Sequence, residues 1–411
     1  MRLWTTIAAT SILSLAAACG ANGQGMPQDA TTGQPIETRP ANDPSQRPAF
    51  DGQTRAPSVS SNFTMANTVV ASGLSHPWGL AWLPGDDVWL VTERSGGMRT
   101  ITTDGVKSEP IQGLPPVAAL GQGGQLDVVP GPDFASSRLI YFSYSQPREG
   151  GNATAVARGR LSADRTRVEN VQVIFEAQPT YDGDKHFGSS LAFDQQGHLF
   201  ITTGDRSDAP MRPQAQDLGS HMGKTIRINA DGSVPADNPY VNTPGARPEI
   251  WSLGHRNMQG VAVRSNGQVW TIEHGTRGGD ELNFDRAGVN YGWPIIAYGV
   301  EYRGAPINEG ITAREGLEQP VYYWDPVIAP GGLTFYEADL FPGWRGSALI
   351  GGLGSQRLVR VVLDGDRVVG EEHLLTGLGE RIRDVAVAPD GAIWVITDSE
   401  DGKLVRFAPA G

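Results

Sequence analysis

A turn carrying Asp, Asn or Gly, followed by a strand that ends in a small polar cluster, occurs six times in this chain. The copies are LPGDDVWLVTERSG (83–96), GPDFASSRLIYFSYS (131–145), DQQGHLFITTGD (194–205), SNGQVWTIEHG (265–275), WRGSALIGGLGS (344–355) and APDGAIWVITDS (388–399). A strand motif recurring every roughly 45 to 80 residues points to propeller blades, small sheets that cover their faces only by stacking on neighbours. Six copies therefore predict an all-β fold, a six-bladed β-propeller of four-stranded antiparallel blades. A seven-bladed propeller with one unrecognised blade is the alternative. Uneven spacing implies long inserts between strands, and inserts of that kind build binding sites.

Composition agrees. The 411 residues include 53 Gly and 29 Pro, which is too much punctuation for a helical protein. Net charge is −12, and no basic run occurs, which argues against a nucleic-acid partner.

Met1-Arg2 followed by the apolar run Ile7 to Ala18 reads as an export signal, too short to span a bilayer stably. The run ends in LAAAC, and Cys19 is the only cysteine, so an internal disulfide is impossible. Small residues before such a Cys resemble a bacterial lipoprotein cleavage site, with Cys19 as the lipidated N-terminus. Gly20 rather than Asp after it resembles an outer-membrane address. The expected location is periplasmic, with membrane contact only through the lipid at Cys19; an ordinary secretory signal is the alternative. Residues 1–18 are thus read as a signal peptide. Residues 19–62, rich in Gly, Pro, Gln, Asn and Ser, are read as a flexible tether, and 63–411 as the catalytic propeller.

Several segments are denser in polar residues than plain turns require. His186 sits in GDKHFGSS, a Gly/Ser-rich approach to a strand. Gln122 lies among glycines in GQGGQLDVV, where backbone can approach a ligand closely, or simply turn. GHRNMQG (254–260) gathers His255, Arg256, Asn257 and Gln259, a set suited to a carboxylate or carbonyl. EHGTRGGDELN with NYGWP couples Asp280 and Glu281 to a Gly-rich loop, which is either Ca²⁺ chemistry or a salt-bridged turn. Arg381 and Arg383, two apart in a strand-like run, share a face. GxGxxG opening a helix, GxxxxGK[ST], GxSxG and Cys/His metal clusters are all missing. Two chemistries stay open: Ca²⁺-assisted hydrolysis, and oxidation by a polyanionic cofactor held without a Rossmann fold.

GQGGQLDVV, HFGSSLAFDQQGHLFITTGD, AQDLGSHMGKTIRIN, EIWSLGHRNMQG, EHGTRGGDELNFDRAGVNYGWP and RIRDVAVAPDGAIWVITD, in that order, resemble the soluble quinoprotein aldose dehydrogenases of the glucose/sorbosone dehydrogenase family. The resemblance runs from about residue 65 to 408. It implies a six-bladed propeller that binds pyrroloquinoline quinone (PQQ) and Ca²⁺. It also implies oxidation of the C1 hydroxyl of aldose sugars to lactones, with electrons passed to an external acceptor. By the same resemblance His186 is the general base, and Arg256 stabilises charge on the quinone. Arg256, Asn257, Gln122, Tyr302, Leu353, Arg381 and Arg383 would contact PQQ. Gly275 and Thr276 (through carbonyls), Glu281, and Tyr291 (through its carbonyl) would reach Ca²⁺.

The chain departs from the family's pattern in three places. Gly354 in GGLGSQ stands where the family often has Lys, with Ser355, Gln356 and Arg357 as possible substitutes. Lys185 precedes the histidine where some members have an acid, Asp184 lying one further back, and Thr276 replaces a frequent Pro. Competing readings are a Ca²⁺-dependent lactone or ester hydrolase and a non-catalytic, sugar- or partner-binding propeller lipoprotein.

Overall fold

The computed structural model describes residues 30–410. The expected signal peptide and Cys19 lie outside the described residues. Six sheets surround one axis. Their innermost strands are Pro77–Leu83, Gln125–Pro130, Gly188–Phe193, Met258–Val263, Pro330–Phe335 and Ile382–Val387, one each for blades 1 to 6. Each touches the next, and the ring closes between blades 6 and 1. All six repeats found in the sequence are second strands of blades, from Val88–Glu93 in blade 1 to Ile393–Thr397 in blade 6.

Blades 2, 3 and 4 are four-stranded in simple chain order. Blade 6 takes its fourth strand from the other end of the chain: Met65–Leu74 pairs antiparallel with Gly402–Pro409 and locks the ring. Blade 1 has three strands, with an isolated bridge from Ile101 to Lys107 beside them. Blade 5 is widened by Ala30–Pro35 and Pro57–Ser60, the latter parallel to Arg367–Leu374.

Instead of one core, the propeller has a separate apolar layer between each pair of blades. Trp89 and Val91 of blade 1 meet Trp394 and Ile396 of blade 6, and Trp270 and Ile272 of blade 4 meet Phe335 and Ile350 of blade 5. Second strands are packed on both faces, so Val88–Glu93, Val269–Glu273 and Ile393–Thr397 are buried throughout. That explains their near-continuous apolar runs.

Every innermost strand breaks register with its neighbour near its start, at Pro77/Leu80, Gln125/Val128, Gly188/Leu191, Met258/Gly260, Pro330/Leu333 and Ile382/Asp384. Such bulges bend a strand and re-aim its side chains, which suits positions beside a site. Polar side chains at the bulge staple blade to blade. Asp127 accepts from the Leu191 N–H at 2.8 Å, Ser190 from Val261 at 3.1 Å, and Asp384 from Leu80 at 2.8 Å.

Residues 36–62 differ from the tether expected of their composition. They run along blades 4 and 5, with Ala56 in the core layer between those blades and Gln53 fully buried. Apolar content was a poor guide because polar side chains, not a hydrophobic face, hold this segment.

Candidate active site

The bulged ends of the innermost strands surround a cavity on the axis. Trp78, Leu126 and Phe187 form an apolar patch within it. Gln122, Asn257, Gln259, His274, Leu353 and Asp398 line it, together with three guanidiniums, Arg94, Arg381 and Arg383. The sequence-based cofactor residues Gln122, Asn257, Leu353, Arg381 and Arg383 therefore do converge. Tyr302 does not line the cavity: it is 63% exposed, and its hydroxyl meets Arg256 Nη2 at 3.2 Å.

His186 is buried and directly precedes Phe187, which lines the cavity. Its backbone N–H donates to Gln122 Oε1 at 2.8 Å, and its φ of 49° turns the chain sharply before the strand. Imidazole Nδ1 lies 2.6 Å from Asp205 Oδ1. The Ser207 N–H reaches the same oxygen at 2.7 Å, and Trp293 Nε1–H reaches Oδ2 at 2.8 Å. Burial raises Asp205, but the hydrogen bond and charge of His186, with Arg256, more than offset it and hold the carboxyl below its usual range. Burial, then Arg256, lowers His186 despite the pull of Asp205. An ionised Asp205 requires a proton on Nδ1, so neutral His186 presents the lone pair on Nε2. That is the protonation state a general base needs near pH 7.

Arg256 is buried, donates to the His274 carbonyl at 3.1 Å, and lies 5.4 Å from the Trp293 ring. It makes no ion pair among the described residues, and its Nε is buried without a partner. A buried guanidinium left this way is costly unless an anion joins it. Arg383 has the same orphaned Nε, although Asp398 pairs with its Nη2 at 2.9 Å. Asp398 also takes Arg381 at 3.4 Å, so the two arginines expected on one face converge on one carboxylate oxygen.

A second, smaller cavity adjoins the first, with His274 in the wall of both. It is about 10 Å³ for a water-sized sphere, room for a single water or ion. All four expected metal residues line it: Gly275, Thr276, Glu281 and Tyr291. Among the described residues no backbone N–H takes the carbonyls of Gly275, Thr276 or Tyr291. Tyr291's hydroxyl is bonded elsewhere, to the Phe284 carbonyl at 2.5 Å. Glu281 shows partial surface exposure yet is enclosed by protein on all sides; the exposed part lines this cavity, so enclosure governs its charge. Burial, then the charge of Glu273, raises it well above the ordinary carboxylate range. Its one side-chain hydrogen bond, from Asn283, is 3.5 Å long. Arg256 shares this cavity's wall but forms no ion pair with Glu281; free carbonyls beside a carboxylate are hard-cation chemistry. Among the described residues no group of three His, Cys, Asp or Glu side chains gathers as a metal cluster.

Asp280, coupled with Glu281 in the sequence reading, does something different. Its oxygens accept from the N–H groups of Gly275 at 2.8 Å, Ile328 at 2.8 Å and Ala329 at 2.7 Å. It braces the carbonyl loop from behind. His255 is likewise structural, held between Glu273 at 2.9 Å and Ser252 at 3.0 Å and stacked on Tyr291.

The sequence reading missed Arg94, His274, Asp205, Asp398 and Trp293. A signal existed for the acids: four of the six repeats place one at or just past the strand end, Glu93, Asp205, Glu273 and Asp398. None of the substitutes expected for the absent lysine lines the cavity, and Ser355 Oγ is buried without a partner. Arg357 bonds His373 Nδ1 at 2.7 Å, and Gly354 packs so closely that a Cβ would lie 2.9 Å from that of Ala329. Arg94, arriving from blade 1, brings a cation to the cavity instead.

A larger opening of about 360 Å³ faces the other end of the axis, lined mainly by apolar strand residues, with Asp127 and Asp384 tied to backbone amides. It lacks the converging free donors of the first cavity.

Comparison with known proteins agrees with this geometry. Residues 74–406 match the family model described as Glucose / Sorbosone dehydrogenase. The Aldose sugar dehydrogenase YliI of Escherichia coli (strain K12) is 43% identical over 346 residues, covering 83% of this chain and 92% of that protein. A crystal structure of a glucose dehydrogenase superposes with a TM-score of 0.81 at 48% identity, covering 84% of this chain and all of that one. The PQQ-bound Aldose Sugar Dehydrogenase of Streptomyces coelicolor gives a TM-score of 0.69 at 28% identity, over 85% of this chain and 99% of that one. With a six-bladed propeller, a buried His–Asp pair and a cationic cavity at its axis, the chain belongs to the glucose/sorbosone dehydrogenase family, oxidoreductases acting on sugar hydroxyls.

Proposed function

We propose that the protein oxidises the C1 hydroxyl of aldose sugars to lactones, using PQQ and Ca²⁺, and passes the electrons to an external acceptor. The observation that carries this reading is the pairing of His186, its Nε2 lone pair free, with the buried and unpaired Arg256. PQQ is a planar quinone with three carboxylates, and the first cavity offers an apolar patch flanked by Arg94, Arg381 and Arg383. Gln122, Asn257 and Leu353 would complete its contacts. Ca²⁺ fits the second cavity through the carbonyls of Gly275, Thr276 and Tyr291 and the carboxylate of Glu281.

Bound PQQ supplies the acceptor for the hydride leaving C1, and Ca²⁺ supplies positive charge that orients and polarises it. His186 Nε2 takes the proton of the C1 hydroxyl, so the sugar sheds a proton and a hydride and becomes a lactone. Asp205 keeps Nδ1 protonated and stabilises the imidazolium that forms. Arg256, excluded from water, holds a fixed positive charge beside the site where negative charge develops. Trp293 links the two by donating to Asp205 and packing under Arg256.

Export and lipid attachment at Cys19 to the periplasmic side of the outer membrane belong to the same proposal and rest on the N-terminal sequence. Mass spectrometry of the mature N-terminus tests that part; an unmodified residue there rejects it. For the activity, the apo protein is titrated with PQQ and Ca²⁺ and then assayed by dye reduction with a panel of aldoses. Saturable binding with sugar-dependent reduction is expected. Failure to bind micromolar PQQ rejects the reading. Lactone or ester cleavage without any acceptor would favour a hydrolase, and sugar binding without turnover a binding protein.

A further inference from the structure

The segment 36–56 lies wholly outside the family-matched span, which begins at Leu74. Yet its polar side chains grip one stretch of blade 4, residues 277–325, repeatedly. Gln46 exchanges two hydrogen bonds with the backbone of Gly299, accepting from its N–H at 2.7 Å and donating to its carbonyl at 2.9 Å. Gln53, with no exposed surface, accepts from the Tyr298 hydroxyl at 3.0 Å and donates to the Pro320 carbonyl at 2.9 Å. Asn42 accepts from Arg277 Nε at 2.9 Å, and its backbone N–H donates to Asp325 at 3.0 Å.

What these contacts hold is the outer wall of the small cavity. Tyr298 lines that cavity, and its ring stacks on Tyr323 at 3.7 Å. Arg277 and Val300 exchange backbone hydrogen bonds, both at 3.0 Å, and Thr276 Oγ1 donates to the Val300 carbonyl at 2.6 Å. The path from Gln46 and Gln53 to the free carbonyls of Gly275 and Thr276 is therefore one strip of paired backbone. Glycines at 278, 279 and 299 pack backbone against backbone along it: a Cβ on Gly279 would lie 2.2 Å from the Tyr298 carbonyl oxygen. Such a strip has little internal side-chain packing, so its rigidity must come from outside.

We propose that residues 36–56 form a clamp that fixes the carbonyl loop 275–279 through Tyr298–Val300, and so sets the cation affinity of the small cavity. The cation part rests on the proposed function; the clamping part does not. Gln46, Gln53 and Asn42 are positioning residues, since none of them reaches the cavity. A loop held ready binds a cation more tightly because less ordering remains to be done on binding.

The test uses Gln46→Ala, Gln53→Ala and the double variant in the full chain, with Glu37→Gln, a change in the exposed Arg39 pair, as control. Hydrogen exchange of amides 275–279 and 298–300 in the apo protein is expected to quicken about tenfold in Gln46→Ala, with blade 2 amides unchanged. Ca²⁺ affinity, measured by chelator competition without PQQ, is expected to fall about tenfold in the same variant. Parent-like exchange in both single variants overturns the clamp. Faster exchange with unaltered Ca²⁺ affinity overturns its link to the cation. Should the parent itself bind no Ca²⁺, the cation assignment fails while the exchange result still decides the clamp. Gln46→Ala guards against misfolding of the more buried Gln53 variant, because its side chain is only partly buried.

Discussion

Two His–Asp pairs stand at the same end of the propeller and are built alike. His186 and His76 both stand at positive φ, 49° and 46°, just before an innermost strand. Each directs Nδ1 at an aspartate that follows a second strand, at 2.6 Å for Asp205 and 2.9 Å for Asp398. Their surroundings then diverge. The His186 side chain is 6% exposed and that of His76 33%. The other oxygen of Asp205 takes a neutral donor, Trp293, whereas that of Asp398 takes Arg383 and Arg381. Burial works against Asp398, but Arg383, His76 and Arg381 hold it far below the ordinary range. One pair therefore leaves its charge to the imidazole, as the proposed base requires; the other leaves it to two arginines and anchors cations. Local geometry supplies the pair, and the neighbours choose its work.

Asp205→Asn breaks that contrast most severely. Both Asp205 oxygens accept hydrogen bonds, and an amide can accept on one side only. Turnover with PQQ-loaded protein should fall by about 10²–10⁴ while PQQ affinity stays near parental. Next, Arg94→Ala should weaken PQQ binding about 10- to 150-fold, from losing one charge-assisted contact, with turnover at saturating PQQ almost unchanged. Absorbance titration reads the first quantity and dye reduction the second.

The pH profile sharpens the same contrast. Burial and Arg256 hold His186 below the ordinary histidine range, and turnover needs its neutral form. The rate should thus stay level as pH falls through about 6.5 and decline only below it. An acid limb at or above that value would assign it to another group. The smallest effect is expected for His76→Gln, within about threefold in turnover, since its aspartate keeps two arginines and the side chain is partly solvated. A tenfold loss there would mean that both pairs take part in catalysis.

Blade number was legible because second strands are buried on both faces and carry long apolar runs after clear turns. The innermost strands went unread although they too repeat, as GLAW, DVVP, SLAF, GVAV, GLTF and DVAV. Tetrads that small, opening on Gly, Ser or Asp, acquire meaning only around the closed ring, where the opening residue faces the next blade. Gln122, Asn257, Leu353, Arg381 and Arg383, which line the axial cavity, were named through the family resemblance. Arg94 was not, because VTERSG looks like one more solvated strand end until blade 1 is brought beside blade 6. The segment 36–56 was misread as tether for a related reason: Gln46 and Gln53 are held by hydrogen bonds to groups some 250 residues away.

The most direct test of His186 as the base is single-turnover mixing of an aldose with PQQ-loaded parent and His186→Gln protein, following cofactor absorbance. Both proteins should bind PQQ with closely similar affinity, and sugar should reduce the cofactor rapidly in the parent but about 10²–10⁴ times more slowly in the variant. Near-parental reduction by His186→Gln would contradict the assignment and move the base elsewhere in the cavity.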